Sequence, residues 1–209
     1  MSKTNNQVYF SNVFGVKHAV IEKYGALDIS LVCDNPAFVD PFLIFANPKY
    51  GTLHDFIIDY LKFLRGLALK NNEQKLDSGK FNHYYKFPEV KQAWLGYSLS
   101  GNAGLGLGKD FAESLYQNLH KIFSKFGNEK LTKSSHLEKL CLVEEGVGVD
   151  KISDFTLNLT KKFLLEYTQT FAKKNLDSKL LAEFSVRKGE FDFQKGIWID
   201  GRFTLPALE

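Results

Sequence analysis

Cysteine is almost missing from this chain. Cys33 and Cys141 are the only two among 209 residues, so no disulfide framework can staple the fold, and a reducing cytoplasm is the expected location. Long apolar runs are missing as well. No stretch approaches the ~20 apolar residues that a bilayer-spanning helix needs, and the polar start MSKTNNQVYF lacks the apolar run of a signal peptide. No membrane partner is expected. Arginine stands only at Arg65, Arg187 and Arg202 among 27 basic residues, the rest being lysine. Bidentate recognition of guanine and phosphate is mainly arginine chemistry, so sequence-specific groove reading is not expected. With 24 acidic residues the net charge is only +3, a weak field for drawing in a polyanion. The lysine excess, with abundant Asn, Phe and Leu, is the composition expected of an AT-rich bacterial genome.

What the chain does hold is aromatic residues: 19 Phe, 9 Tyr and 2 Trp. A fully buried Phe gains roughly 1.5–3 kcal/mol, so a sizeable core can form without staples. The apolar spacing places that core on helices. Leu53, Ile57, Tyr60, Leu61, Leu64 and Leu67 recur at three-and-four spacing after Thr52, a plausible cap, and the helix should end by Lys70. A shorter helix is expected from Pro88, carrying Val90 and Trp94. Phe111, Leu115, Leu119, Ile122 and Phe126 form a third stripe, closed by Gly127. The longest helix should begin after Val149, with Ile152, Phe155, Leu159, Phe163, Tyr167 and Phe171 on one face. A strand-like run is expected at 7–14, followed by a helical piece ending near Gly25; LDISLVC from Leu27 and FVDPFLIF from Phe38 read as two strands or as a strand and an extended arm, Pro41 arguing against a central position for the second. EFDFQKGIWIDGRFTLP alternates around Lys195-Gly196 and Asp200-Gly201, both hairpin-turn signals. No repeat or linker divides the chain. The expectation is a mainly helical α+β fold in one domain over residues 1–209, with short strands near the N-terminus and a C-terminal β-hairpin. Leu208-Glu209 reads as a dipeptide left by cloning, so this domain is expected to be the N-terminal segment of a longer protein.

Three patterns could carry chemistry. Gly104, Gly106 and Gly108 precede Lys109 and a helix, and backbone N–H groups of such a loop can meet a phosphate. The run looks like a P-loop, yet Ala103 replaces its first glycine and Asp110 its magnesium-binding hydroxyl. A plain helix-entry loop is the other reading. In EEGVGVDKISDF, Asp150, Asp154 and Asn158 fall in line opposite the apolar stripe. With Glu144 or Glu145 folding back, Asp150 and Asp154 could ligate magnesium; equally, the acidic residues cap the helix and favour its dipole. Glu190, Asp192 and Lys195 resemble the PD-(D/E)XK nuclease arrangement of carboxylates and an assisting lysine, but Phe193 stands where that pattern requires an acid. Five dispersed histidines offer no paired ligand spacing. The aromatic run HYYKFPEVKQAW could stack on bases or serve as core.

FVDPFLIF at 38–45 and EEGVGVDKISDFTLNL from Glu144, with GYSLSGNAGLGLG between them, resemble blocks of uncharacterised bacterial proteins associated with mobile elements and phage defence. The resemblance implies a nucleic-acid setting and assigns no residue a role. Two functions stand open on these grounds. One is a module acting on or sensing nucleic acid through weak, non-specific contacts, with magnesium-assisted phosphodiester hydrolysis as its chemistry if it is catalytic. The other is a non-enzymatic module that binds a protein partner or a missing C-terminal region of its own chain.

Overall fold

Helix ends in this chain are set by short side chains that satisfy free backbone N–H groups. Asp40 accepts from the Phe42 amide at 2.8 Å and Asp77 from the Lys80 amide at 3.0 Å, which is how an N-cap removes an otherwise unpaired donor. The computed structural model describes residues 8–32, 38–70, 76–88, 90, 107–122 and 149–207. It is mainly helical α+β with a C-terminal antiparallel hairpin. The helices are α1 (Phe10–Val13), α2 (His18–Tyr24), α3 (Pro41–Ala46), α4 (Gly51–Lys70), α5 (Ser78–Tyr85), α6 (Lys109–Ile122) and α7 (Val149–Asn175); the strands are β1 (Leu181–Asp192) and β2 (Ile197–Pro206). They gather into two compact units, one made of Met1–Ala37, Lys91–Ala103 and Lys161–Glu209, the other of Phe38–Val90 and Gly104–Thr160. The expected helix from Pro88 and the end of the third stripe beyond Ile122 fall mostly outside the described residues.

The second unit is built on aromatic packing. Ile57, Tyr60, Leu61 and Leu64 of α4 and Phe111, Leu115 and Leu119 of α6 are buried, as the spacing requires. Phe155 of α7 lies 5.3 Å from the Phe87 ring and 5.6 Å from the Phe111 ring. Tyr85, fully buried, donates its hydroxyl to the Leu64 carbonyl at 2.8 Å, and Tyr60 donates to the Tyr84 carbonyl at 2.7 Å. The described part of the run from His83 therefore supplies core through Tyr85, Phe87 and Val90. Between Ile152 and Lys161 the polar Ser153, Thr156, Asn158 and Thr160 are buried as well as the stripe. Thr156 and Thr160 donate back to the carbonyls four residues earlier, which makes a hydroxyl tolerable there.

FVDPFLIF differs from expectation. It forms the helix α3, because Asp40 caps it and Pro41 sits at the first helical position, where its missing N–H costs nothing. The described part of the expected strand 7–14 likewise holds the short helix α1, and the N-terminal pairing among the described residues is a single bridge, Tyr9 to Ser30. Among the described residues no longer strand forms here, because the chain turns into α1 at Phe10.

In the first unit, Phe10, Phe14 and Phe171 cluster with Val16 and Ile21, while Leu165, Val186, Phe203 and Leu205 form a second cluster under the hairpin. The hairpin turns at residues 193–196. Asp192 accepts from the Gln194 and Lys195 amides at 2.9 and 3.0 Å, and Gly196 takes the left-handed φ of 64°. Asp200-Gly201, expected as a second turn, instead lies inside β2.

Candidate functional site

The hairpin carries one irregularity, and the unusual chemistry of the first unit collects there. Val186 pairs with Gly201 and Glu190 with Ile199, so Arg187, Lys188 and Gly189 stand opposite Asp200 alone. Such a bulge bends a strand and re-aims side chains. Its construction is strict. A Cβ on Gly189 would come within 2.9 Å of the Gly201 backbone nitrogen, and one on Gly201 within 2.5 Å of the Phe203 ring. Lys188 takes φ 51°, the left-handed region that a lysine rarely enters. Its amide donates to the Asp200 carboxylate at 2.9 Å, which fixes the distortion in place.

Against this bulge stands a lysine with almost no exposure. Lys161 of α7 is 3% exposed, and its ammonium donates to the Arg187 carbonyl at 3.0 Å. Burial pushes its pKa down to about 8, with the Asp200 carboxylate pulling the other way. Lys188 is also pushed down to about 8, first by burial and then by the charges of Lys161 and Arg187. Burial thus lowers the pKa of two lysines at this bulge, Lys188 on β1 and Lys161 on the helix that packs against it. The next lysine behaves in the opposite way: Lys162 pairs with Glu190 at 2.8 Å, which raises its pKa.

A second pairing lies near the start of the chain. Asp28, its side chain nearly buried, accepts from the Ser11 amide and from His18 Nδ1, both at 2.9 Å, while His18 itself is 68% exposed. Burial would raise the Asp28 pKa, but hydrogen bonds from Ser11 and His18 outweigh it and hold the carboxyl low. The carboxylate orients the imidazole.

The residues singled out by sequence fall elsewhere. Gly104, Gly106, Glu144 and Glu145 lie outside the described residues. Gly108 is exposed, with open space where a side chain would go, and Lys109 is an exposed partner of Glu113 at 3.4 Å on the first turns of α6. Asp150 is in the first turn of α7 and Asp154 is exposed. Asn158, placed by helical spacing on their line, is buried and donates its amide to the Pro88 and Asp154 carbonyls at 3.2 and 2.9 Å. Among the described residues, no three His, Cys, Asp or Glu side chains gather in a metal-ligating group. Glu190 and Asp192 serve the Lys162 ion pair and the hairpin turn. Lys161 and Lys188 were not legible as a site. Lys161 sits in a Thr-Lys-Lys run that reads as solvated surface, and the only hint at Lys188 is the neighbouring Gly189, a glycine inside a strand pattern.

In the second unit, Phe38, Phe42, Leu43 and Phe45 are all exposed within eight residues of α3 and its approach. Single exposed apolar residues are ordinary, whereas a contiguous group marks an interaction surface. No helix among the described residues is long and apolar enough to cross a membrane.

A mainly helical α+β chain with a bulged C-terminal hairpin is the class these elements define. Residues 15–209 match the family described as Domain of unknown function (DUF8370), and the chain belongs to that family. No curated protein and no solved structure matches it.

Proposed function

We propose that the chain is a non-enzymatic protein-interaction module that associates through α3, with a second copy of the chain as partner. The exposed group Phe38, Phe42, Leu43 and Phe45 carries this reading. The charges bordering the patch are one of each sign: the Asp40 carboxylate, which caps α3 by accepting from the Phe42 amide, and the Lys49 ammonium, 5.3 Å above the Tyr50 ring. An apolar surface bordered by one charge of each sign can be complementary to itself, and two-fold association is the commonest form of self-assembly. A membrane surface fits less well, since an interfacial helix needs greater length and a basic polar face, and α3 is six residues long. A nucleic acid fits less well too, since α3 carries rings but no lysine or arginine to meet the phosphates. Each side chain gains roughly 1.5–3 kcal/mol on full burial, while association costs roughly 4–15 kcal/mol. The dimer should therefore be concentration-dependent rather than obligate.

Sedimentation equilibrium over a range of concentrations tests the reading, using the wild-type chain and the double variant Phe42→Asp, Leu43→Asp. Self-association in the wild type and a monomer in the variant are expected. A wild type that stays monomeric up to its solubility limit, or a variant that associates equally well, would overturn it.

A further inference from the structure

We propose that His18 is a phosphoryl-acceptor site, its Nε2 taking the phosphoryl group of a phosphoramidate-class donor. The imidazole itself is placed by side-chain contacts. Its Nδ1 lies 2.9 Å from one oxygen of the Asp28 carboxylate, and the other oxygen accepts from the Ser11 amide at 2.9 Å. Backbone bonds hold the Asp28 segment against α1: the Phe10 amide donates to the Ile29 carbonyl at 2.8 Å and the Leu31 amide to the Val8 carbonyl at 2.7 Å. On the other side, Val16 and Ile21, buried with Phe171, seat α2. With both oxygens engaged, the carboxylate swings away only by giving up hydrogen bonds. The Asp28 side chain is 6% exposed and that of His18 68%, so the orienting end of the pair is anchored and the ring is in the open. Lys17, Ala19 and Val20 are exposed beside it.

The pairing selects the nitrogen that reacts. An ionised carboxylate has no proton to donate, so Nδ1 carries the hydrogen, and Nε2 of the neutral ring keeps its lone pair. Such a lone pair at the surface can ligate a metal, act as a general base or attack an electrophile. A metal would need further ligands, and among the described residues no three His, Cys, Asp or Glu side chains gather to supply them. A general base needs a substrate held within hydrogen-bond reach, which a ring so exposed does not itself provide. A nucleophile needs access and a carboxylate-oriented ring, and both are here. In the step itself the Nε2 lone pair attacks phosphorus and forms an N–P bond, while the pair of electrons of the donor's own P–N bond departs with its nitrogen as an amine or ammonia. The phosphorylated ring keeps its Nδ1 hydrogen and carries a positive charge. Asp28 therefore acts twice, holding the reactive tautomer before the step and stabilising the cationic ring after it, as a carboxylate does for a catalytic imidazolium. No oxidant or reductant is needed.

Potassium phosphoramidate is the probe. The full chain is incubated with it at neutral pH, the phosphorylated position is followed in time by peptide mass spectrometry, and phosphorus NMR of the intact chain tells the Nε2 isomer from the Nδ1 isomer. His18 should be phosphorylated ahead of the other four histidines, at Nε2 alone, and this lead should vanish in the urea-unfolded chain. His18→Gln should abolish the fast phase. Asp28→Asn should slow it about tenfold, the difference between a charged and a neutral hydrogen bond to the cationic ring, and should let the Nδ1 isomer appear, a change that loss of packing alone would not produce at a folded site. Should Asp28→Asn fail to fold, the order of labelling and the isomer in the wild type decide the matter alone. Another histidine reacting as fast as His18 in the folded chain, a mixture of isomers at His18 in the wild type, or a folded Asp28→Asn variant with unchanged rate and isomer would overturn the inference.

Discussion

Tyr24 and Tyr167 exchange hydrogen bonds: the Tyr24 hydroxyl donates to the Tyr167 carbonyl at 2.8 Å, and the Tyr167 hydroxyl donates to the Tyr24 carbonyl. Their rings lie 4.4 Å apart, so the end of α2 and the middle of α7 are joined by two polar contacts and one aromatic contact. A Cβ on Gly25, which ends α2 with φ 85°, would come within 3.3 Å of the Tyr167 hydroxyl. A left-handed glycine at this end is thus required by the backbone and by its neighbour.

Replacing either tyrosine by Phe removes one hydrogen bond while keeping the ring, and should cost about 0.5–1.5 kcal/mol. The double variant should fall short of the sum of the two, because the phenols share one geometry. Urea unfolding of the four proteins measures the coupling. Strict additivity would show that the two bonds act independently.

Asn158 and Asp154 form a sharper pair. Helical spacing puts both on one line, yet one side chain is buried and the other exposed. Asn158→Ala should cost about 1–3 kcal/mol, since the Pro88 and Asp154 carbonyls lose their donor. Asn158→Asp should cost more, by setting a carboxylate against carbonyl oxygens in a buried place. Asp154→Asn should remain within about 0.5 kcal/mol of wild type. Denaturant midpoints of the three variants check the order. Similar costs at 154 and 158 would mean that the face is evenly solvated.

This pair also shows where sequence periodicity loses its hold. The stripes on α4 and α6 were legible because each of those helices buries apolar residues at a regular spacing, with Ile57, Leu61 and Leu64 or Phe111, Leu115 and Leu119 inside. The early part of α7 is buried around most of its circumference, so apolar spacing locates one face and misses the others. Buried Thr156 and Thr160 escape notice because their hydroxyls bond to their own helix, a solution that leaves no mark on composition. The hairpin was legible from alternation and its Lys195-Gly196 turn. Its bulge was not, since Asp200-Gly201 carries the same local signal whether it turns a chain or sits opposite an extra residue. The candidate site depends on that bulge and on Lys161, far away in sequence, and no local pattern joins them.

Glycines should divide by location. Gly66 lies inside α4 with open space at its Cβ position, so Gly66→Ala should stabilise the chain by about 0.5–1 kcal/mol through reduced backbone entropy in the unfolded state. Gly189→Ala and Gly201→Ala should each destabilise by about 1–3 kcal/mol, as overpacking does. Gly189→Ala should be the worse of the two, because it meets backbone where Gly201→Ala meets a ring. Thermal melts of the three variants decide this, and a neutral Gly189→Ala would remove the constraint on the bulge.

Stability should pass through a maximum on the alkaline side. Lys161 and Lys188 have folded pKa values near 8 against 10.5 for the free side chain. Between those values the unfolded chain binds more protons than the folded one, so stability rises with pH over that window. Tyrosine has the opposite sign. Burial raises the pKa of Tyr24, and burial with the Tyr116 charge raises that of Tyr85, from the ordinary 10.0. Above about pH 10 the unfolded tyrosines release protons that the folded ones retain, and stability falls. The two slopes predict a rise from pH 8 towards 10 and a decline beyond it. Chemical denaturation at fixed temperature across pH 7–12 traces the curve. Lys188→Met should flatten the rising limb and Tyr85→Phe the falling one, each leaving the other limb in place. A curve that declines steadily from pH 8 would mean that Lys161 and Lys188 keep ordinary proton affinities in the folded chain.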